Sequence, residues 1–333
     1  MKAAVIGSGG WGTALAMRLQ ANGIETFLWS HNPKKAAEMA ETRQNPMLSG
    51  VTLPENLIIT ADPACVAGCD LVTVACPSFA VRSVATQIAP YLQERTVVAS
   101  ATKGIEPGTL LRMSQIDEEV LRHPVVALTG PSHAEEVARM QPTGCLAACA
   151  DKALAEYVQD AFMADVFRVY TSPDVVGAEL GGALKNVIAL CVGACDGLGY
   201  GDNAKAMLMT RGLTEIARLG VALGGKQSTF AGLTGVGDLI VTCTSMHSRN
   251  HRAGILIGQG VEPQEAVKQI GAVVEGFYAA KTARALAHKH GVEMPITEAA
   301  YSVLYEGMAP KEALISLMSR DKKHETEDAW RFF

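Results

Sequence analysis

Several features that mark other classes of protein are missing from this 333-residue sequence. Its eight cysteines show neither CxxC spacing nor neighbouring histidines, although three pairs are spaced four residues apart. We therefore expect reduced thiols that pack as small apolar side chains, and no metal site.

The sequence also lacks a run of about 18 uninterrupted apolar residues, the length that a membrane-spanning helix requires. No secretory signal precedes the first predicted strand. The formal net charge is only −5, with 19% charged residues, so we expect no general attraction to nucleic acid or acidic membranes. These absences predict a soluble cytoplasmic protein with no nucleic-acid partner and no stable membrane insertion, in which any anion-binding site is local.

A dinucleotide-binding pattern is present at the start of the chain. Residues 2–6 predict a buried strand, residues 7–12 (GSGGWG) a turn, residues 13–22 a helix before Gly23, and residues 25–29 a second strand. In such a unit Gly7 permits the tight turn, Gly9 lets a pyrophosphate approach, and Gly12 lets helix and strand pack closely. Backbone NH groups at the helix start would hold the phosphates. The alternative is a glycine-rich turn that binds nothing.

The rest of the chain divides into two parts. Further strands are predicted at residues 57–60, 71–75, 96–100, 125–128, 143–149 and 166–170, with helical segments between several of them. After Pro173 the periodicity is mainly helical as far as Met318. We predict an α/β Rossmann-type doubly wound sheet over residues 1–173 and an all-α substrate-binding domain over residues 174–333. The charged tail, residues 319–333, is expected to be poorly ordered.

The end of the second predicted strand bears on which dinucleotide binds. NAD-selective sites usually place Asp or Glu there, to bind the ribose hydroxyls. Here Ser30, His31 and Asn32 follow the strand, with Lys34 and Lys35 just beyond. Because no carboxylate repels a 2′-phosphate and two cations would attract one, NADP is favoured over NAD. The alternative is that both lysines are solvated charges at a helix start.

Polar turns follow three successive predicted strands. Open α/β sheets bind ligands at the carboxyl ends of their strands, so these turns predict one shared rim of hydrogen-bond donors. The residues concerned are Ser78 after the fourth strand, Lys103 and Gly104 after the fifth, and Gly130, Ser132 and His133 after the sixth.

One lysine interrupts the most apolar segment of the chain. Residues 175–194 are apolar except for Glu179, Lys185 and Asn186. A buried unpaired ammonium ion is costly and tends to lose its proton, which would bring the lysine pKa toward neutrality. Such a lysine can stabilise a developing negative charge and can give or take a proton near neutral pH. The alternative is a helix lysine whose stem packs while its head reaches water.

Polar residues later in the chain offer an anion-binding group and a carboxylate. Arg249, flanked by Ser248 and Asn250, offers a bidentate cation and neutral donors. Asp238 suits orienting an ammonium group or a substrate hydroxyl. Taken alone, Arg249 fits an exposed loop cation equally well, and Asp238 a helix N-cap. His133 lies near these motifs, as does His247, but neither has an evident Asp partner, so we expect both to be non-catalytic.

A series of motifs runs from residue 7 to residue 297: GSGGWGTALA, ATKG, GPSHAEE, LGGALKNVIAL, LTGVGDLIVTCTS, SRN, VVEG and MPI. Through this series the sequence resembles the bacterial NAD(P)-dependent sn-glycerol-3-phosphate dehydrogenases, which interconvert dihydroxyacetone phosphate and glycerol 3-phosphate. The resemblance implies a Rossmann domain joined to a helical domain with the site in the cleft. It also implies a homodimer and a supply of glycerol 3-phosphate for phospholipid synthesis.

The resemblance further implies roles for individual residues. Lys185 matches the general acid/base, and Lys103 matches a lysine that touches cofactor and substrate; with Asp238 they form the predicted catalytic set. Predicted substrate contacts are Lys103, Gly130, Ser132, Lys185, Asn186, Asp238, Thr242, Ser248, Arg249 and Asn250. Predicted cofactor contacts are Gly7, Gly9, Gly10, Trp11, Gly12, His31, Lys103, Ala134, Arg249, Val273 and Glu275.

Two rival functions remain open. A 3-hydroxyacid or 6-phosphogluconate-type dehydrogenase also combines a Rossmann domain with a helix lysine. A nucleotide-sensing module without turnover is the second rival, although Lys103, Lys185 and Asp238 would be superfluous in it.

Overall fold

The structure is a computed structural model, and it describes residues 1–322, 324 and 325. The expectation of poor order in the charged tail concerns residues that lie mostly outside the described ones.

An eight-stranded sheet forms the N-terminal half, and all eight predicted strands are present. The sheet order is β3-β2-β1-β4-β5-β6-β7-β8. The first six strands run parallel, β7 is antiparallel to β6, and β8 is parallel to β7. Their bounds are β1 Lys2–Ile6, β2 Glu25–Trp29, β3 Ile58–Thr60, β4 Leu71–Val74, β5 Val97–Ser100, β6 Val125–Thr129, β7 Thr143–Ala148 and β8 Phe167–Ser172.

The order of the strands indicates where a ligand crevice lies in this sheet. The chain proceeds from β1 outward to β3, then crosses back so that β4 pairs with the other side of β1. This reversal is a topological switch point, and ligands bind beyond the carboxyl ends of the strands there. Every residue of β4 and β6 is buried, because helices cover both faces of the sheet.

Six helices flank the sheet. They are α1 Gly10–Ala21, α2 Pro33–Thr42, α3 Val81–Ile88, α4 Met113–Leu121, α5 Ala134–Ala138 and α6 Lys152–Phe162. The first begins three residues earlier than the periodicity predicted, at Gly10 rather than Thr13. Its start therefore lies within the glycine-rich turn.

The described part of the C-terminal half is helical, so the predicted fold class is confirmed. Its helices are α7 Val175–Gly197, α8 Asp202–Ala222, α9 Gln227–Phe230, α10 Asp238–Thr244, α11 Arg249–Gly258, α12 Pro263–Ile270, α13 Glu275–His290, α14 Pro295–Tyr305 and α15 Pro310–Met318. A π-helical turn, Leu233–Gly237, precedes α10.

Helix α7 is the centre of this half, and α8, α10, α11 and α13 pack around it. Its length and apolar composition would suit a membrane span, but 83% of its most apolar window is buried inside the protein. The apolar surface of α7 is therefore used as a core. Asp174 caps the helix by accepting from the backbone NH of Gly177, and also accepts from Lys226 and Thr229.

Candidate active site

Lys185 lies in the middle of α7 and only 6% of it is exposed. Its Nζ donates to Asp238 Oδ1 and to Thr242 Oγ1, the latter at 2.6 Å. The Thr242 hydroxyl donates its own hydrogen to the backbone carbonyl of Asp238, so its oxygen acts as the acceptor toward Lys185. Burial lowers the pKa of Lys185 to about 7; Asp238 opposes this shift and Lys103 adds to it. The lysine is thus poised to gain and lose a proton near neutral pH.

Lys103 reaches the same carboxylate from the sheet. It follows β5, and its Nζ donates to Asp238 Oδ2 at 2.7 Å and to the carbonyl of Gly130 at 2.9 Å. Asp238 is 1% exposed, so two ammonium groups share one buried carboxylate. The cluster carries a net positive charge in a desolvated place, which suits stabilisation of a developing oxyanion.

Two glycines of α7 allow Lys103, Lys185 and Asp238 to come together. A Cβ at position 181 would lie 2.3 Å from the carbonyl oxygen of Thr234, in the π-helical turn before Asp238. A Cβ at position 182 would lie 2.7 Å from Thr129 Oγ1, at the end of β6, and 3.6 Å from Lys103 Cδ. Gly181 and Gly182 therefore allow α7 to approach the π-helical turn and the end of β6 closely.

The start of α11 lies beside the middle of α7. Ser248 is the N-cap and accepts from the NH of His251, Arg249 is exposed, and Asn250 is buried. The Asn250 side chain donates to Asn186 Oδ1 at 2.9 Å and accepts from the NH of Gly276 at 2.8 Å. These bonds fix the start of α11, which includes Arg249, against α7 and the start of α13.

Facing glycines bring α11 onto α7. A Cβ on Gly193 would lie 2.1 Å from the carbonyl of His251, and one on Gly254 would lie 2.1 Å from the carbonyl of Leu190. Because only hydrogen atoms fit there, the two backbones touch. The sequence analysis did not identify this contact, although the glycines are visible in the sequence.

The turn after β6 supplies further polar groups. Gly130 has φ +145°, and its carbonyl accepts from both Ser132 Oγ, at 3.1 Å, and Lys103. Ala134 begins α5 and faces the glycine-rich turn, since its Cβ lies 3.4 Å from the place of a Cβ on Gly10.

The glycine-rich turn after β1 fits a dinucleotide pyrophosphate. Gly7 has φ +129°, and a Cβ there would lie 2.5 Å from the carbonyl of Ala75. A Cβ on Gly12 would lie 1.9 Å from the carbonyl of Gly7, whereas one on Gly9 would meet nothing within 4 Å. No side chain caps the start of α1, so its first NH groups suit binding of an anion.

Comparison with known proteins agrees with this geometry. The family model for the NAD-dependent glycerol-3-phosphate dehydrogenase N-terminus matches residues 2–155, and that for the C-terminus matches residues 174–315. The chain belongs to the NAD-dependent glycerol-3-phosphate dehydrogenase family. Two curated relatives named glycerol-3-phosphate dehydrogenase [NAD(P)+] are similar over nearly the whole chain. That of Moorella thermoacetica is 54% identical, covering 97% of each chain, and that of Thermoanaerobacter sp. is 52% identical, covering 98% of this chain and 99% of its own.

A solved structure supports the same family. The glycerol-3-phosphate dehydrogenase of Coxiella burnetii is 38% identical and superposes with a TM-score of 0.92, covering 96% of this chain and 99% of that one. The resemblance seen in the sequence is thus confirmed at the level of family and fold.

In this glycerol-3-phosphate dehydrogenase fold, several of the predicted cofactor residues lie near the carboxyl ends of the strands, whereas Arg249, Val273 and Glu275 belong to the helical half. Trp11 is half-buried, and its indole donates to the carbonyl of Ala101 at 3.1 Å. His31 and Lys34 are exposed beyond β2, but Lys35 Nζ donates at 2.8 Å to the carbonyl of Ser8 in the glycine-rich turn, and burial lowers its pKa. Lys34 and Lys35 could not be distinguished from the sequence. In the structure Lys34 is exposed, whereas Lys35 contacts the glycine-rich turn.

A contact between the two halves was missed. Glu275 begins α13 and accepts from Ser78 Oγ at 2.9 Å and from Ser78 N at 3.5 Å. Burial raises the pKa of Glu275. The sequence predicts Ser78 at the rim and Glu275 as a cofactor contact, but it does not predict that the two are paired. The residues are 197 positions apart, so no local pattern could reveal the contact.

Proposed function

We propose that this protein interconverts dihydroxyacetone phosphate and sn-glycerol 3-phosphate with NAD(P)H, and that Lys185 is the general acid and base. The observation that carries the proposal is the buried arrangement of Lys185 and Lys103 on the two oxygens of Asp238. A lysine with a pKa near neutrality, in a net positive cluster, is what reduction of a ketone needs.

The nicotinamide, when bound, supplies the hydride that reduces the carbonyl carbon. As negative charge develops on the carbonyl oxygen, the ammonium groups of Lys185 and Lys103 stabilise it. Lys185 Nζ then gives its proton to that oxygen and completes the alcohol; in the reverse direction, neutral Lys185 removes the hydroxyl proton. Asp238 accepts from both lysines and holds them in place.

Neighbouring residues bind and orient the substrate. Arg249 suits bidentate binding of the phosphate, helped by Ser248 and Asn250 at the N-terminus of α11. Held there, the substrate presents its carbonyl to the lysines. Other contacts in this proposal are Gly130, Ser132, Asn186 and Thr242.

The cofactor site in this proposal follows the sheet edge. The turn of Gly7, Gly9, Gly10 and Gly12 holds the pyrophosphate, and NADPH is favoured because no carboxylate follows β2. The further cofactor contacts are Trp11, His31, Lys103, Ala134, Arg249, Val273 and Glu275.

The proposal extends to organisation and cellular role. We place the domain boundary near Pro173, between the last strand and α7, with residues 1–173 binding the cofactor and 174–333 binding substrate. A cytoplasmic homodimer that supplies glycerol 3-phosphate for phospholipid synthesis fits the family resemblance.

The decisive experiment replaces Lys185 with alanine and follows NADPH absorbance with dihydroxyacetone phosphate. Lys185→Ala is expected to lose about 10²- to 10⁴-fold in kcat, the usual contribution of a positioned proton donor, while still binding NADPH. Lys152→Ala is the control, because that lysine is on α6 with 83% of its side chain exposed. A near-normal kcat for Lys185→Ala would show that Lys185 is not the general acid and base.

The same assay separates the rival functions. Turnover of 3-hydroxy acids with none of dihydroxyacetone phosphate would favour a 3-hydroxyacid or 6-phosphogluconate-type dehydrogenase. Tight NADPH binding with no loss of absorbance for any ketose phosphate would indicate a nucleotide-sensing module.

A further inference from the structure

His133 joins the turn after β6 to α10, across the two halves of the protein. Its Nε2 lies 3.3 Å from the carbonyl oxygen of Val241. A carbonyl only accepts, so Nε2 carries the hydrogen and donates it. Val241 lies in the last turn of α10, where backbone carbonyls have no partner within the helix. The imidazole therefore satisfies an end carbonyl of the helix that carries Asp238 and Thr242.

The ring of His133 also packs against His247. Their centroids are 5.9 Å apart with an interplanar angle of 53°, within the range of favourable ring contacts. His247 belongs to the segment between α10 and α11, directly before Ser248, and its NH donates to Ser245 Oγ. His133 thus contacts both the end of α10 and the residue that precedes the start of α11.

Charge around His133 favours a neutral donor. Burial lowers its pKa, and nearby Lys185 adds to this, while the bond to Val241 and the carboxylates of Glu135 and Glu136 act in the opposite direction. A neutral ring whose one hydrogen is donated to a backbone carbonyl is suited to holding structure rather than to transferring protons.

We propose that His133 is a positioning residue for substrate binding: through Val241 and His247 it fixes the start of α11 relative to the Gly130–Ser132 side of the cleft. The inference rests on the proposed function, since it takes Ser248, Arg249 and Asn250 as the phosphate contacts. Without His133 these residues and the turn after β6 lose their mutual alignment. The glycine-rich turn that holds the pyrophosphate in this proposal is outside the His133 contacts with Val241 and His247, so cofactor binding changes much less than substrate binding, although Arg249 and Ala134 also belong to the proposed cofactor site.

Three variants test this role. His133→Phe keeps a ring but has no donor, and His133→Gln keeps an NH donor at a similar distance. His123→Phe is the matched control, because the His123 ring contacts the carbonyls of Leu121 and Gln93 in the N-terminal half. If His133→Phe does not fold, His133→Asn replaces it, since its shorter amide does not reach Val241.

The expected result is a change in one Michaelis constant only. His133→Phe raises the KM for dihydroxyacetone phosphate about tenfold, equivalent to about 1.4 kcal/mol, and leaves the KM for NADPH within about twofold. His133→Gln returns the KM to within about threefold of the parent, and His123→Phe has no effect. An unchanged KM in His133→Phe, or an equal rise for both substrates, would overturn the proposal.

Nitrogen-15 shifts of the His133 ring supply a readout that does not depend on turnover. The Nε2–H tautomer is expected, and the Nδ1–H tautomer would overturn the proposal. If the parent enzyme does not turn over dihydroxyacetone phosphate, the proposed function fails, and the ring tautomer still decides whether His133 holds α10.

Discussion

Changing Asp238 to asparagine removes the charge that both active-site lysines contact, and its effect can be calculated from the structure. Two unit charges about 4 Å apart interact by about 4 kcal/mol at an effective dielectric constant of about 20. This equals about three pKa units, at about 1.36 kcal/mol per unit. The asparagine dipole and local rearrangement recover part of the loss. We therefore expect the pKa of Lys185 to fall by about one to three units below its present value near 7.

The assay is the pH dependence of kcat in both directions. In the proposed mechanism reduction requires protonated Lys185, so in the parent we expect the kcat of reduction to fall as pH rises through about 7 and the kcat of glycerol 3-phosphate oxidation to rise. In Asp238→Asn both transitions move to lower pH by about one to three units. At pH 7 this leaves about 5- to 500-fold less of the protonated form, so reduction slows by a similar factor.

Thr242→Val is the control that separates charge from hydrogen bonding. It removes the hydroxyl that accepts from Lys185 but leaves Asp238 in place. We therefore expect the midpoint of the pH dependence of kcat to move by less than about one pH unit. Because removing one partner of a buried pair costs about 3–5 kcal/mol of stability, circular dichroism must show that Asp238→Asn is folded. A folded Asp238→Asn with the parent transition would refute the assignment of Lys185 as the titrating acid.

Two further predictions concern other parts of the protein. Burial raises the pKa of Asp117, in α4, from 3.8 to about 8, so its contribution to stability is present below about pH 4 and lost as pH rises through about 8. Asp117→Asn should therefore raise Tm more at pH 9 than at pH 6; an equal change at both would contradict this. Lys34→Ala should raise the KM for NADPH alone, and Lys35→Ala should raise the KM for both NADPH and NADH, because Lys35 holds the carbonyl of Ser8. Equal effects on both cofactors from Lys34→Ala would show that it does not bind the 2′-phosphate.

The strands and the position of Lys185 could be predicted because their signals are local. Runs of three to six residues rich in apolar and β-branched side chains are visible without knowledge of the rest of the chain. A charged residue inside an apolar helix is equally visible. The direction of β7 was not predicted, since the alternation of side chains is the same in parallel and antiparallel strands.

For residues far apart in the sequence, we could predict that they lie in the same region but not which of them contact each other. Strand ends placed Lys103 and Gly130 on one rim, but their bond with each other depends on side-chain reach across the sheet edge. The pairing of Glu275 with Ser78 and of His133 with Val241 depends on how the helices pack on the sheet. Such packing is set by the whole core, including the glycine contacts between α7 and α11.

The position of Asp238 links folding of this protein to its chemistry. Lys103 comes from the sheet and Lys185 from α7, so the positive cluster exists only where the two halves meet. Asp238 follows a π-helical turn that fits against α7 only because position 181 is glycine. A side chain at 181 would displace that turn and with it the carboxylate shared by both lysines. A substitution at position 181 is therefore expected to move the pKa of Lys185 away from its present value near 7, because it displaces the carboxylate that opposes the effect of burial.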